Sequence, residues 1–229
     1  MKRTFTDCRV FWREFRANFH TTGAILPSGR RLAVALARYV PSGNGPKRVL
    51  EVGPGTGAVT AHVVAGLGPE DRLDLVELNE QFVRRLEQRF AEEPAFQQAA
   101  SRVRILHQTV ESLPERGCYD VVVSGLPLNN FELADVERLL SVLTRLLSAR
   151  GTLSFFEYIA IRKMRALVSN RAERQRLRGI GAALDRMLGP YEIRRECVWP
   201  NLPPAWVHHV RPGAVAAVQS GASSRPTTG

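Results

Sequence analysis

The stretch Arg48-Val49-Leu50-Glu51-Val52-Gly53-Pro54-Gly55-Thr56-Gly57 constrains the fold more than any other part of the chain. It is a short apolar run that enters a glycine-rich turn. A helical pattern follows in Ala58, Val59, Ala61, His62, Val63 and Val64. Strand, glycine turn and helix N-terminus, in that order, put backbone N–H groups in front of a small ligand. Twenty residues past Gly57, a second strand pattern, Leu73-Asp74-Leu75-Val76-Glu77, ends on a carboxylate. In a βαβ unit that carboxylate reaches the mouth of the same crevice, where it can accept both hydroxyls of a ribose.

The chemistry of the turn narrows the ligand. Gly53, Gly55 and Gly57 are spaced G-x-G-x-G, and Pro54 removes one N–H donor from the loop. A loop built for a pyrophosphate wants more donors and positive charge nearby. Here an acid, Glu51, stands at the entrance. That suits a nucleoside carrying positive charge, and S-adenosylmethionine, with its sulfonium and ammonium groups, fits. A tight turn in an unrelated α/β enzyme is the plain alternative.

At 229 residues the chain is long enough for one α/β domain and short for two. No run of about 18 apolar residues offers a membrane span, and the N-terminus lacks the apolar core of a signal peptide. Cys8, Cys118 and Cys197 are scattered singly, without metal-ligand spacing, so reduced thiols and no metal are expected. The net charge of +10, almost all of it arginine, implies a polyanionic partner: an anionic membrane face, RNA or DNA.

Residues 1–20 form the second informative stretch. Phe5, Cys8, Phe11, Trp12, Phe15 and Phe19 recur at helical spacing, with Lys2, Arg3, Arg9, Arg13 and Arg16 at other positions. An aromatic stripe beside a basic face is the composition of a helix lying in a membrane interface; an ordinary helix packed on the domain is the alternative. An uncharged loop, His20–Ser28, follows and could close over a bound nucleoside. Ser28 is a candidate N-cap for a helix from Gly29 to Tyr39.

Strand and helix then alternate. Helices are expected over Gln81–Phe90 and Leu133–Leu147. Strands are expected at Val103–Leu106, Asp120–Val123 and Gly151–Tyr158, with two last strands at Tyr191–Val198 and Trp206–Arg211. The pattern predicts an α/β fold with a Rossmann-like, doubly wound, seven-stranded sheet, mostly parallel with an antiparallel edge. An arginine-rich helical region spans Arg162–Leu188. The domain is expected to occupy residues 21–211, and the Ala/Ser/Thr/Gly-rich tail 212–229 is expected to be disordered.

The order of parts resembles a class I S-adenosylmethionine-dependent methyltransferase. Glu51–Gly57 matches that superfamily's first motif, and Glu77 its ribose-binding acid. Three further features resemble the bacterial phospholipid N-methyltransferases. They are the aromatic-basic N-terminal helix with Thr21-Thr22-Gly23-Ala24-Ile25-Leu26-Pro27-Ser28, the turn Ser124-Gly125-Leu126-Pro127-Leu128, and Asn201-Leu202-Pro203-Pro204-Ala205. The resemblance covers roughly residues 5–211. It implies methyl transfer from S-adenosylmethionine to the amine of phosphatidylethanolamine-type lipids at the cytoplasmic face of the membrane. It also implies cofactor contacts from Glu51, Gly53, Gly55, Thr56, Gly57, Glu77, Leu78, Thr109, Val110 and Ser124. Where such enzymes carry an acid after the third strand, this chain reads His107-Gln108-Thr109-Val110-Glu111, so Thr109 or Gln108 would be a neutral acceptor for the adenine amine.

The nearest competitor is an RNA adenine dimethyltransferase. It needs an amide or carboxyl acceptor and then an aromatic platform for the flipped base after the fourth strand. This chain offers Ser124 and Leu128 there, which favours a lipid amine over RNA. A third possibility is a catalytically silent binding protein that keeps the fold. Ser124 and Tyr158 are the candidate catalytic residues, with Glu157 and His208 or His209 as further polar groups. Strand alternation puts His209 with Val207 on one face and His208 on the other, so one histidine is expected to point inward. Arg162, Lys163 and Arg165 are candidates for a lipid phosphate.

Overall fold

Six strands that run in one direction and one that runs against them make a seven-stranded sheet. The structure, a computed structural model, describes residues 29–41, 43, 45–114, 116–159, 171–199 and 204–212. The N-terminal helix pattern, Ser28, the tail beyond 212 and the basic cluster Arg162, Lys163 and Arg165 lie outside the described residues.

The strands are β1 (Arg48–Val52), β2 (Arg72–Glu77), β3 (Val103–His107), β4 (Tyr119–Ser124), β5 (Leu147–Tyr158), β6 (Glu192–Val198) and β7 (Ala205–Val210). They lie in the order β3-β2-β1-β4-β5-β7-β6; the first five are mutually parallel, β7 is antiparallel to both β5 and β6, and β6 again runs with the first five. In β4, Val121, Val122 and Val123 are all buried, because helices cover both faces of the sheet. One face carries α1 (Arg30–Leu36), α2 (Thr60–Gly66), α3 (Glu80–Glu92) and the short α4 (Pro94–Gln97). The other carries α5 (Leu133–Leu146) and α6 (Arg171–Leu188).

Local sequence explains the helices. Asn79 caps α3, its side chain accepting from the Gln81 amide at 2.9 Å. Glu80 at the start and Arg89 at the end of α3 complement its dipole. α5 buries Val136, Leu139, Leu140, Leu143 and Leu146, spaced three and four apart along one stripe. Truncating Leu143, which is fully buried, to Ala would cost about 2–5 kcal/mol.

Two elements depart from expectation. β5 begins at Leu147, four residues before Gly151, because Leu147 pairs with Tyr119 before the register shifts at a bulge. Gly151 sits at that bulge: a Cβ there would lie 2.7 Å from the Tyr119 carbonyl oxygen. The expected Gly29–Tyr39 helix is α1, whose regular part ends at Leu36. α4 was not expected; Pro94 starts it and Phe96 anchors it edge-on against Phe90, ring centroids 5.0 Å apart.

Candidate active site

The C-terminal ends of β1, β2 and β4 meet where the strand order reverses, the place where open α/β sheets bind ligands. Gly53, Gly55 and Gly57 all take positive φ (70°, 57° and 85°). The turn they make is tied to both neighbouring strands. The Gly53 amide donates to the Val76 carbonyl at 3.0 Å, and the Gly125 amide donates to the Val52 carbonyl at 2.8 Å. A Cβ on Gly125 would lie 2.6 Å from the Gly53 carbonyl oxygen, so the loops after β1 and β4 touch through backbone. Thr56 and Gly57 are held from the side by Arg89, whose Nη1 donates to both their carbonyls at 2.9 Å. Its Nε and Nη2 form a fork to Glu93 at 2.8 Å each.

Glu77 closes the second side. Its Oε2 accepts from the Gly55 amide at 3.1 Å, and its Oε1 accepts from the amides of Leu78 and Asn79 at 2.8 Å each. Burial raises its pKa above the ordinary carboxylate value, while the amides of Asn79, Gly55 and Leu78 and the nearby His107 oppose that. Glu51 is different. It is fully buried, and neither oxygen makes a hydrogen bond among the described residues. Burial pushes its pKa up to about 8; the Thr60 hydroxyl, outside hydrogen-bond geometry, offsets part of this, and the charge of Glu77 adds to it.

Ser124 pairs with Val52 across β4 and β1, is fully buried, and its Oγ accepts from the Leu126 amide at 3.4 Å. Thr109 and Val110 follow β3. The Thr109 hydroxyl bonds the Ser112 hydroxyl at 2.8 Å, and Val110 packs into the core beneath α5. Glu51, Gly53, Gly55, Thr56, Gly57, Glu77, Leu78 and Ser124 are thus gathered at one edge of the sheet, with Thr109 and Val110 beyond β2. Tyr158 ends β5, but its ring packs on the α1 face against Phe156, whereas Ser124 alternates onto the α5 face with Val122. The two candidate catalytic residues do not share a face. Burial raises the Tyr158 phenol to about 12.

Both histidines of β7 are buried, not one, because β7 lies inside the sheet with side chains covering each face. His209 bonds Ser154 Oγ through Nδ1 at 2.8 Å and Glu196 Oε1 through Nε2 at 3.2 Å, next to the Tyr39 ring. Desolvation lowers its pKa to about 4 against the pull of Glu196. Sequence reading missed Asn129. It is buried after β4, and its Nδ2 donates to the Tyr158 carbonyl at 3.2 Å, joining the ends of β4 and β5. A polar residue in an otherwise apolar turn was the available signal.

The residues present suit a cationic nucleoside. A Cβ on Gly55 would meet no protein atom within 4 Å, so the space facing that backbone is open for close approach. Beside it is a buried carboxylate, Glu51, that lacks any partner of its own among the described residues. No group of three His, Cys, Asp or Glu among the described residues is placed to hold a metal.

Comparison with known proteins agrees with this geometry. Residues 49–151 match the family described as Methyltransferase domain. The chain belongs to the class I S-adenosylmethionine-dependent methyltransferases, and S-adenosylmethionine is its methyl donor. It is 30% identical over 148 residues, 64% of this chain and 75% of the relative, to an ornithine lipid N-methyltransferase of Singulisphaera acidiphila. It is 48% identical to a ribosomal RNA small subunit methyltransferase A of a Synechococcus species, over 83 residues that span 35% of this chain and 28% of that protein. A solved structure, the S-adenosylmethionine-dependent methyltransferase of Aquifex aeolicus, superposes with a TM-score of 0.56 at 13% identity, covering 80% of this chain and 93% of the other. That likeness shows the shared fold.

Proposed function

We propose that the protein methylates the amine of phosphatidylethanolamine-type lipids at the cytoplasmic surface of the membrane. The observation that carries this is the turn after β4. Leu128 is fully buried in the core, Ser124 is a short, buried hydroxyl, and Phe131, the ring of this connection, is packed in the core at 2 % exposure, so no ring is presented on which a flipped base could stack. A small amine needs no such platform. The relative named as an ornithine lipid N-methyltransferase likewise methylates nitrogen on a lipid, and the charge of +10 suits an anionic surface. No helix among the described residues is long and apolar enough to cross a membrane, so the protein would meet its lipid from the side.

Bound, S-adenosylmethionine supplies an electrophilic methyl group on a sulfonium sulfur. In this reading Glu77 accepts from the ribose hydroxyls, the backbone of Gly53, Gly55, Thr56 and Gly57 lines the nucleoside, and Glu51 pairs with the ammonium group. Leu78, Thr109 and Val110 flank the adenine, and Ser124 lies beside the transfer path. Burial of Glu51 makes that pairing count: its charge is disfavoured until a cation arrives. The residues' task is then positioning the acceptor in line with the methyl group.

The RNA reading has one observation in its favour, the 48% identity to the ribosomal RNA methyltransferase over 83 residues. Labelled S-adenosylmethionine, offered together with vesicles of phosphatidylethanolamine plus anionic lipid and with unmodified ribosomal RNA, separates the two. Label in the lipid is expected; label in RNA alone would overturn the proposal.

A further inference from the structure

The base of the sheet, where β1, β2 and β3 begin, lies at the opposite end from the glycine turn. There the register lines up like charges. Arg48 of β1 is paired with Arg72 of β2, and Leu73 is paired with Val103, so Arg102 falls beside Arg72. Neighbouring strands are about 4.8 Å apart, so three arginines leave the backbone within roughly 10 Å of one another. Two residues further along β2, Asp74 is paired with Arg104. A depression of about 190 Å³ opens between these side chains, lined by the four arginines, Asp74 and Ser101.

Asp74 offsets only part of that charge. It is 3 % exposed and takes a fork from Arg104, whose Nε and Nη2 each donate at 2.7 Å. Arg48 Nη2 donates to the same carboxylate at 3.5 Å, and the buried Tyr119 hydroxyl donates to it at 2.8 Å. Burial opposes the ionised form, yet Arg104, Tyr119 and Arg48 hold the Asp74 pKa below the ordinary carboxylate value. Arg48 and Arg104 are thereby fixed as a frame. Arg102 donates to the carbonyls of Gly68 and, at 3.5 Å, of Gln98. Those neutral acceptors hold the guanidinium in place and do not offset its charge. Arg72 is exposed, and neither Arg72 nor Arg102 makes an ion pair with a described residue. Like charges side by side on adjacent strands are unfavourable, a cost that an anion seated among them would remove.

We propose that the base of β1, β2 and β3 binds a small phosphoryl anion, a diphosphate or a phosphate monoester, with Arg72 and Arg102 taking its charge and Arg48 and Arg104 framing it. Two guanidinium groups without an acid among the described residues match an anion of about two charges, which a phosphate monoester carries at neutral pH and a single carboxylate does not. The planar N–H fork of arginine also fits phosphate oxygens. A volume of about 190 Å³ is below that of a drug-sized site and has room for the phosphoryl group alone. Arg72 and Glu77 begin and end β2, so the depression and the crevice are roughly 16 Å apart along the strand. An anion bound at the base touches neither methyl donor nor acceptor, and the site does not depend on the lipid reading.

Inorganic diphosphate is the probe. At an ionic strength held constant with sodium chloride, it should bind the full chain by calorimetry and raise Tm with its concentration. Acetate should do neither. Arg72→Gln removes one charge at an exposed position, and its Kd for diphosphate should rise about 10- to 100-fold. Arg84→Gln, on the exposed side of α3, should leave that Kd unchanged. Affinity for S-adenosylmethionine should be the same in both variants. Arg102→Gln should repeat the loss; should it fail to fold without its hold on Gly68, Arg72→Gln alone decides. A Tm that sodium chloride raises as much as diphosphate does, or an Arg72→Gln variant that binds diphosphate like the unaltered protein, would overturn the proposal. So would single-stranded RNA that binds at Arg72 and that diphosphate fails to displace, since the base would then be a nucleic-acid face.

Discussion

The Gly55 amide donates to Glu77 Oε2 at 3.1 Å, which fastens the middle of the glycine turn to the end of β2 across 22 residues of chain. With the amides of Leu78 and Asn79 on the other oxygen, one carboxylate sets both walls of the crevice before any ligand is bound. Glu77→Ala should therefore lose preorganisation as well as the ribose contact. Hydrogen bonds to a charged group are worth about 1.5–3 kcal/mol, so the Kd for S-adenosylmethionine should rise roughly 10- to 100-fold by calorimetry.

Gly125→Ala tests the contact between the two loops. Gly125 has an ordinary φ, and the obstacle is backbone: the added Cβ would meet the Gly53 carbonyl oxygen at 2.6 Å. The loops must separate, at a cost of about 1–3 kcal/mol. Tm should drop by several degrees and cofactor affinity should fall with it. A variant that keeps both would show that the loops part freely.

Glu51 should make the protein less stable as pH rises. Its folded pKa of about 8 lies above the unfolded value of 4.5, so between those values the native state holds a proton that the unfolded state has lost. The stability present below pH 4.5 is lost as pH rises towards 8, on the order of 3 kcal/mol by neutral pH. Glu51→Gln should raise Tm by several degrees at pH 7–8, leave it unchanged near pH 4, and weaken cofactor binding. Melting curves against pH, with and without cofactor, check all three.

His209 should act in the opposite sense. Its pKa of about 4 in the folded protein is below the ordinary 6.5, so the unfolded state takes up the proton first as pH falls. Stability is full above pH 6.5 and is lost as pH drops through 4, by on the order of 3 kcal/mol. Between pH 4.5 and 6.5 the slopes of Glu51 and His209 cancel in the unaltered protein. In Glu51→Gln the His209 slope should emerge, and adding His209→Asn should flatten it again.

The site was legible where its chemistry is local in sequence. Glu51 through Gly57 is one strand and one turn, and Glu77 lies one βα crossover away, so spacing alone brings them together. The apolar runs of β1 and β4 likewise identify central strands whatever their partners. Pairings that depend on distant segments left no such trace. Nothing near Leu147 announces that it bridges Tyr119 and opens a bulge at Gly151. The two adjacent histidines alternate faces as expected, yet both are buried because β6 and the helices close over a strand that reads like an edge. The bond from Asn129 to Tyr158 and the hold of Arg89 on Thr56 and Gly57 each join residues 29 or more positions apart in the chain.

β7 is made after β6, yet it occupies the slot between β6 and β5. During synthesis β5 must wait with one edge unsatisfied, and β6 has no strand to join, until residues 205–210 leave the ribosome. Tyr39, made before the first strand, and Glu196, made in β6, meet across this seam only when His209 arrives with β7. The methyl-transfer half of the sheet can assemble early, whereas the half beneath α6 is completed by the last strand inserted, so a nascent chain stalled before residue 205 exposes an open β-edge to whatever chaperone is at hand.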